Sequence, residues 1–161
     1  MSSITIGGTL GELAEKAKKE LKKLKIKDVN DFFEKLGNDI DHLPQDVKKA
    51  IKDTEEELKR LNINFNELLE NGFDSMKEIF EKIPTPEEFA REMALSFANR
   101  VKEDTKDDTS IKLCTGTVGG LLVAAGLTMK TASSGAPNPY ADYLIISGPV
   151  AATWGCTEAY K

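Results

Sequence analysis

The side chains best able to do chemistry in this 161-residue chain are few and far apart. There is one histidine, His42, and there are two cysteines, Cys114 and Cys156. This inventory is too small for the usual zinc site of His and Cys ligands, and a Ser-His-Asp relay would need His42 as its base. The sequence therefore predicts no catalytic residue, no metal site and no cofactor. An enzyme using carboxylates, tyrosines and a thiol is kept as a less favoured alternative.

Two stretches share features with known binding motifs. The run TGTVGG at 115–120 is rich in glycine, but it lacks both the G-x-G-x-x-G spacing and the lysine of a phosphate-binding loop. The acidic stretch 103–108 could attract Ca²⁺, but it lacks the glycine and the terminal glutamate of an EF-hand. We therefore expect helix packing at the first stretch and a solvated linker at the second.

The two cysteines lie near the outer ends of two uncharged segments. In an antiparallel hairpin Cys114 and Cys156 would come level, so a disulfide is geometrically reasonable. Closing a loop of about 40 residues would stabilise the fold by about 4 kcal/mol. No signal peptide is visible, so we expect a cytoplasmic protein with two buried thiols, or a secreted one if the pair is bonded. The sequence does not decide between them.

Charge divides the chain into two parts. Residues 1–108 hold 25 acidic and 19 basic side chains, whereas residues 109–161 hold 2 acidic and 3 basic ones. The net charge of −5 argues against a nucleic-acid partner, because such binding depends on clustered basic residues. We predict a charged helical part and an apolar part that fold together as one domain.

The charged part has the spacing of amphipathic helices, with apolar residues recurring at intervals of three and four. The clearest helix start is Thr85-Pro86-Glu87-Glu88, a capping box with proline at the first helical position. We expect a helix break at Asn71-Gly72. In the five predicted helices the inward residues include Leu13, Ala17 and Leu21; Phe32, Phe33 and Leu36; Ile51 and Leu58; Phe73, Met76 and Phe80; and Phe89, Met93 and Phe97.

The apolar part contains two segments without charge, 113–129 and 143–157, joined by a turn at 130–142. Gly116, Gly120, Ala124 and Thr128 recur every four residues, so one helical face would allow close approach by a neighbouring helix. This predicts two buried helices forming a hairpin. Strand-forming residues at 115–118 and 143–146 keep a β-rich C-terminal third, and hence an α+β fold, as the alternative.

These patterns together predict an all-α bundle in which about five charged helices surround or flank the apolar hairpin. In architecture, though in no motif, this layout resembles the pore-forming domains of colicins. The resemblance implies a hairpin that could be released into a bilayer. The segments have 17 and 15 uncharged residues, whereas a membrane span needs about 20.

The favoured function is non-enzymatic binding of a hydrophobic ligand, an apolar small molecule or a lipid, inside the bundle. The alternatives are a membrane-inserting or pore-forming protein that uses the hairpin at a membrane surface, and a protein-interaction module. The residues expected to line a ligand site are Phe80, Phe89, Met93, Phe97, Leu121, Leu122, Leu144 and Trp154.

Overall fold

The computed structural model describes residues 3–24, 64–82, 84–105, 111–132 and 138–161, together with 58–60 and the single residues Gln45, Lys49, Lys52, Glu55 and Glu56. Helices α1 (Ser3–Leu24), α2 (Phe65–Glu81), α3 (Pro86–Thr105), α4 (Ile111–Ala132) and α5 (Pro139–Ala159) fill the longer ranges. The fold is all-α, and the α+β alternative is wrong, since none of these residues lies in a strand. The predicted second helix, with His42, lies outside the described residues.

α1 packs its apolar side on the core, as its spacing predicts. Leu13, Ala17 and Leu21 are buried there. Its charged side is tied to α2, because the Lys18 ammonium contacts the Asp74 carboxylate at 2.8 Å and Glu15 pairs with Lys77. The hydrogen bond to Asp74 is the main reason that the pKa of Lys18 lies above the ordinary lysine value.

α2 runs without interruption through Asn71-Gly72, so the expected break there is wrong. The glycine serves packing instead, because a Cβ atom at Gly72 would lie 2.6 Å from Cε1 of Phe97 on α3. The Phe97 ring occupies the space that any other residue's side chain would need. An Asn-Gly pair is a common turn signal in sequence, and here the close approach of an aromatic ring explains the glycine.

The turn between α2 and α3 is closed by the predicted capping box. The Thr85 hydroxyl accepts a hydrogen bond from the Glu88 amide at 3.2 Å, and the Glu88 carboxylate accepts one from the Thr85 amide at 3.3 Å. Pro86 is the first helical residue, where its missing N–H costs nothing. α3 then continues to Thr105, so the first part of the predicted linker 103–108 is helical.

α4 is the central helix of the bundle. All residues from Thr117 to Met129 are buried, and α4 contacts α1, α2, α3 and α5. This explains why the segment shows no amphipathic period: a helix covered on every side needs no polar face. The predicted turn 130–142 is shorter than expected, since α4 extends to Ala132 and α5 begins at Pro139.

α4 and α5 form the predicted antiparallel hairpin, and its register follows from three contacts. Near the turn, a Cβ at Gly126 would lie 2.8 Å from the carbonyl oxygen of Ala141. Midway, a Cβ at Gly148 would lie 3.3 Å from the Leu122 Cβ. At the far end Cys114 and Cys156 form a disulfide with a Cα–Cα distance of 6.0 Å. The hairpin is therefore tied covalently at the end opposite its turn.

A candidate interaction surface on α5

The predicted ligand-lining residues lie in the core, and the aromatic ones among them pack on one another. Seven of the eight are buried, and Trp154 is half-buried. The Phe80 and Phe89 rings stack with their centroids 4.6 Å apart, and the edge of each meets the Tyr140 ring at 5.4 Å. The Tyr140 hydroxyl donates a 2.6 Å hydrogen bond to the Pro84 carbonyl. These aromatic side chains pack on one another, and their contacts tie α5 to the α2–α3 turn.

Two grooves lie between α2 and α3, with volumes of about 380 and 790 Å³. Both are lined by Ser75 and Ser96, whose hydroxyls are hydrogen-bonded at 2.9 Å. The remaining lining is mostly charged or amide side chains, and of the predicted ligand residues only Phe97 reaches either groove. These grooves are polar surface features, and they differ in character from the apolar pocket expected from the sequence.

α5 has one buried face and one exposed face, although no charged residue marks the exposed face in the sequence. The buried face presents small residues to both neighbouring helices. Gly148 faces α4, and a Cβ at Gly155 would lie 2.7 Å from the carbonyl carbon of Ala94 on α3. The sequence predicts that 143–157 is one of the two most buried parts of the chain, but Ile146, Val150, Thr153 and Thr157 within it are exposed.

We define the outer face of α5 as Tyr143, Ile146, Val150, Thr153 and Thr157, which lie at helical spacing on one side. Ile146 is 61 % exposed and Val150 is 72 % exposed, so the two central residues of this face are apolar and open to solvent. Ordinary solvent-facing helix positions carry charged side chains. The outer face carries none between Asp142 and Glu158.

The two threonines make the outer face less polar than their hydroxyls suggest. The Thr153 hydroxyl donates to the Pro149 carbonyl at 3.1 Å, and the Thr157 hydroxyl donates to the Thr153 carbonyl at 2.7 Å. A hydroxyl bonded to its own helix four residues earlier needs no water as acceptor. Covering this face would therefore leave neither hydroxyl proton without an acceptor.

At each end of the outer face, one basic and one acidic side chain form an ion pair. Near the start of α5, Lys130 contacts Asp142 at 3.0 Å, and near its end Lys161 contacts Glu158 at 2.9 Å. Along one side, the Arg91 guanidinium lies 5.7 Å from the centre of the Trp154 ring. The result is an uncharged strip with a polar rim, the general form of a protein-binding patch.

The described residues lack two other kinds of site. Within the described ranges, no helix combines the length and apolar character needed to cross a bilayer. Among the same residues, no three His, Cys, Asp or Glu side chains come together in the way a metal site requires. The acidic residues Glu103 and Asp104 lie on the last turns of α3, where Asp104 faces Arg100 at 3.7 Å.

The outer face escaped prediction because the absence of charge makes 143–157 look like one of the most buried parts of the chain. One signal was available: Ile146, Val150 and Thr153 follow one helical side, while Gly148, Ala152 and Gly155 follow the other. Small residues mark the packed side of such a helix, and large ones mark the open side.

In comparisons with known proteins, the chain matches no family model, no curated protein and no solved structure.

Proposed function

We propose that this protein is a non-enzymatic interaction module that binds a protein partner through the outer face of α5. The observation that supports the proposal is the exposure of Ile146 and Val150, 61 % and 72 %, at the centre of an uncharged helical strip. Removing each side chain from water would contribute about 1–2 kcal/mol. The back-bonded hydroxyls of Thr153 and Thr157 lower the desolvation cost of covering the strip.

A hydrophobic ligand held inside the bundle, the function favoured by the sequence, has less support. The aromatic residues that would line its site, Phe80 and Phe89, stack on each other and make edge contacts with Tyr140. The helices on both sides of α5 pack closely against it. An added methyl group at Gly126 on α4 would meet the backbone of α5, and one at Gly155 on α5 would meet the backbone of α3. A ligand would have to displace these contacts, whereas a partner at the outer face displaces only water.

Binding to a lipid surface also has less support than binding to a protein. The chain carries a net charge of −5, which disfavours approach to anionic lipid. The rim of the outer face pairs each cation with an acid, as Lys130 with Asp142 and Lys161 with Glu158. A membrane-binding helix of this kind usually places unpaired basic residues beside its apolar strip. Balanced pairs suit a protein surface of mixed charge.

The proposal is tested by photo-crosslinking in the cells that produce the protein. A benzophenone amino acid is placed at Val150, at the centre of the outer face, and in a control at Lys22, which is exposed on α1. We expect a discrete protein adduct from position 150 and none from position 22. Adding Ile146→Glu to the position-150 protein should abolish the adduct, because a carboxylate there cannot be buried without a partner.

Other results would contradict the proposal in distinguishable ways. A lipid adduct from position 150 would support the membrane-surface alternative, and a small-molecule mass bound to the intact protein would support the carrier. Equal adducts from positions 150 and 22 would show that α5 has no special role. Circular dichroism of each variant verifies that the helical fold is retained.

A further inference from the structure

α5 contains a weak point at its centre. Pro149 lies inside the helix, and because proline has no N–H, the helical hydrogen bond from residue 149 to the carbonyl of Ile145 cannot form. A residue that precedes a proline is disfavoured in the helical conformation, and here that residue is Gly148, of a type whose helix propensity is the lowest after proline. We call Gly148-Pro149 the hinge and residues 150–161 the arm.

The two sides of the hinge differ in what they bury. Before the hinge, Leu144 and Ile145 place large apolar side chains in the core. The contact of Gly155 with α3 is close, but glycine contributes no side chain to bury. Hydrophobic stabilisation scales with the apolar area removed from water, so packing holds the arm less firmly than the rest of α5. The buried residues of the arm are all small: Ala151, Ala152, Gly155 and Cys156.

Specific contacts near the end of α5 hold the arm to its two neighbouring helices. On one side, Cys156 is bonded to Cys114 on α4, which lies 42 residues earlier in the chain. On the other side, the Lys102 ammonium on α3 donates a 3.1 Å hydrogen bond to the Ala159 carbonyl and lies 5.3 Å from the centre of the Tyr160 ring. The link to α4 is covalent, whereas the contacts with α3 are not.

We propose that the arm is a redox-released element: the Cys114–Cys156 disulfide holds it against α4, and the hinge is where it opens once that bond is reduced. Both cysteines are fully buried, so a reductant reaches the sulfur atoms only during a local opening of this end of the bundle. The arm carries the Val150 end of the outer face, so its release would change that surface. The inference itself stands without the proposed function.

The chemistry needs a dithiol as the second reactant. A thiolate of the dithiol attacks one sulfur atom of the disulfide, and the other cysteine leaves as a thiolate that takes up a proton. The second thiolate of the dithiol then breaks the mixed disulfide and releases the remaining cysteine, which is protonated in turn. Two electrons and two protons pass to the protein, which then carries two thiols, while the dithiol becomes a cyclic disulfide.

The test is backbone hydrogen exchange, followed by mass spectrometry, on the folded protein before and after treatment with dithiothreitol. Alkylation with iodoacetamide verifies the reduction, since two labels per chain are expected. We expect reduction to raise the exchange rate of the arm at least about tenfold relative to that of residues 140–148. The double variant Cys114→Ala, Cys156→Ala should show the same difference without reductant.

Pro149→Ala is the matched control, because alanine restores the hydrogen bond to the Ile145 carbonyl and removes the weak point. In this variant, reduction should change the relative exchange rate of the arm by less than about threefold. A change as large as in the wild type would refute the hinge.

Two other results would overturn the inference. Equal acceleration of the arm and of residues 140–148 in the reduced wild type would show a general loss of stability with no released element. A disulfide that dithiothreitol leaves intact in the folded protein would show that no reductant reaches it. Both results leave the binding of a protein at the outer face untouched, since cross-linking from position 150 tests that separately.

Discussion

Replacing Gly155 by alanine is the sharpest probe of the contact between α3 and α5. A Cβ at this position would lie 2.7 Å from the carbonyl carbon, 2.8 Å from the Cβ and 2.9 Å from the carbonyl oxygen of Ala94. Two of these three atoms belong to the backbone of α3. They cannot move aside by a rotamer change, so the substitution must push the two helices apart.

Two opposing terms set the size of the effect. Alanine is favoured over glycine inside a helix by about 1 kcal/mol. Over-packing a close contact costs about 1–3 kcal/mol, and backbone obstruction places Gly155→Ala at the upper end. The expected net loss is therefore about 2 kcal/mol, which for a domain of this size lowers the melting temperature by about 4–8 °C.

The assay is thermal unfolding followed by circular dichroism, with Gly148→Ala as the matched control on the same helix. A Cβ at Gly148 would lie 3.3 Å from the Leu122 Cβ and 3.5 Å from the Gly119 carbonyl oxygen, distances that a small adjustment relieves. The gain in helix propensity should offset that adjustment, leaving Gly148→Ala within about 1 kcal/mol of wild type. If Gly155→Ala melts at or above the wild-type temperature, the close packing of α3 on α5 is refuted.

Three further predictions concern the elements that hold the bundle together. Replacing both Cys114 and Cys156 by alanine should lower the free energy of unfolding by about 4 kcal/mol in urea titration, because the disulfide closes a loop of 42 residues; a loss below about 1 kcal/mol would contradict this. Thr85→Ala should cost about 1 kcal/mol through the lost N-cap of α3, and Thr85→Ser should restore it. The hydrogen bond to Asp74 raises the pKa of Lys18, so its stabilisation is complete below the unfolded lysine value of 10.5 and disappears as pH rises through the folded value. Lys18→Met should therefore cost less than about 1 kcal/mol at neutral pH, since the pair is partly exposed, and the difference from wild type should vanish in strongly alkaline buffer.

Local signals in the sequence predicted the local structure well. Thr85 and Pro86 mark the start of α3. The level placement of Cys114 and Cys156 leaves a disulfide and two free thiols open, and the structure has the disulfide. The charge-free run 113–129 predicts a buried helix, and residues 117–129 of it are all buried.

Features that depend on a neighbouring element escaped prediction. Gly72 was read as a turn residue because only the fold shows the Phe97 ring against it. Ile146 and Val150 were read as buried because apolar residues usually are, and no charged neighbour marks their side of α5 as exposed. The pattern of apolar residues alone cannot tell a face covered by the same chain from one left open for another.

The central claim is that a protein partner covers the outer face of α5 in the cell. Hydroxyl-radical footprinting tests this claim most directly. Oxidation of Ile146 and Val150 is measured by mass spectrometry in fresh extract of the producing cells and in a highly diluted purified sample. Ile111, 45 % exposed on α4, is the internal reference. We predict strong protection of Ile146 and Val150 in the extract, with Ile111 unchanged. Equal oxidation of all three residues in both samples would contradict the claim.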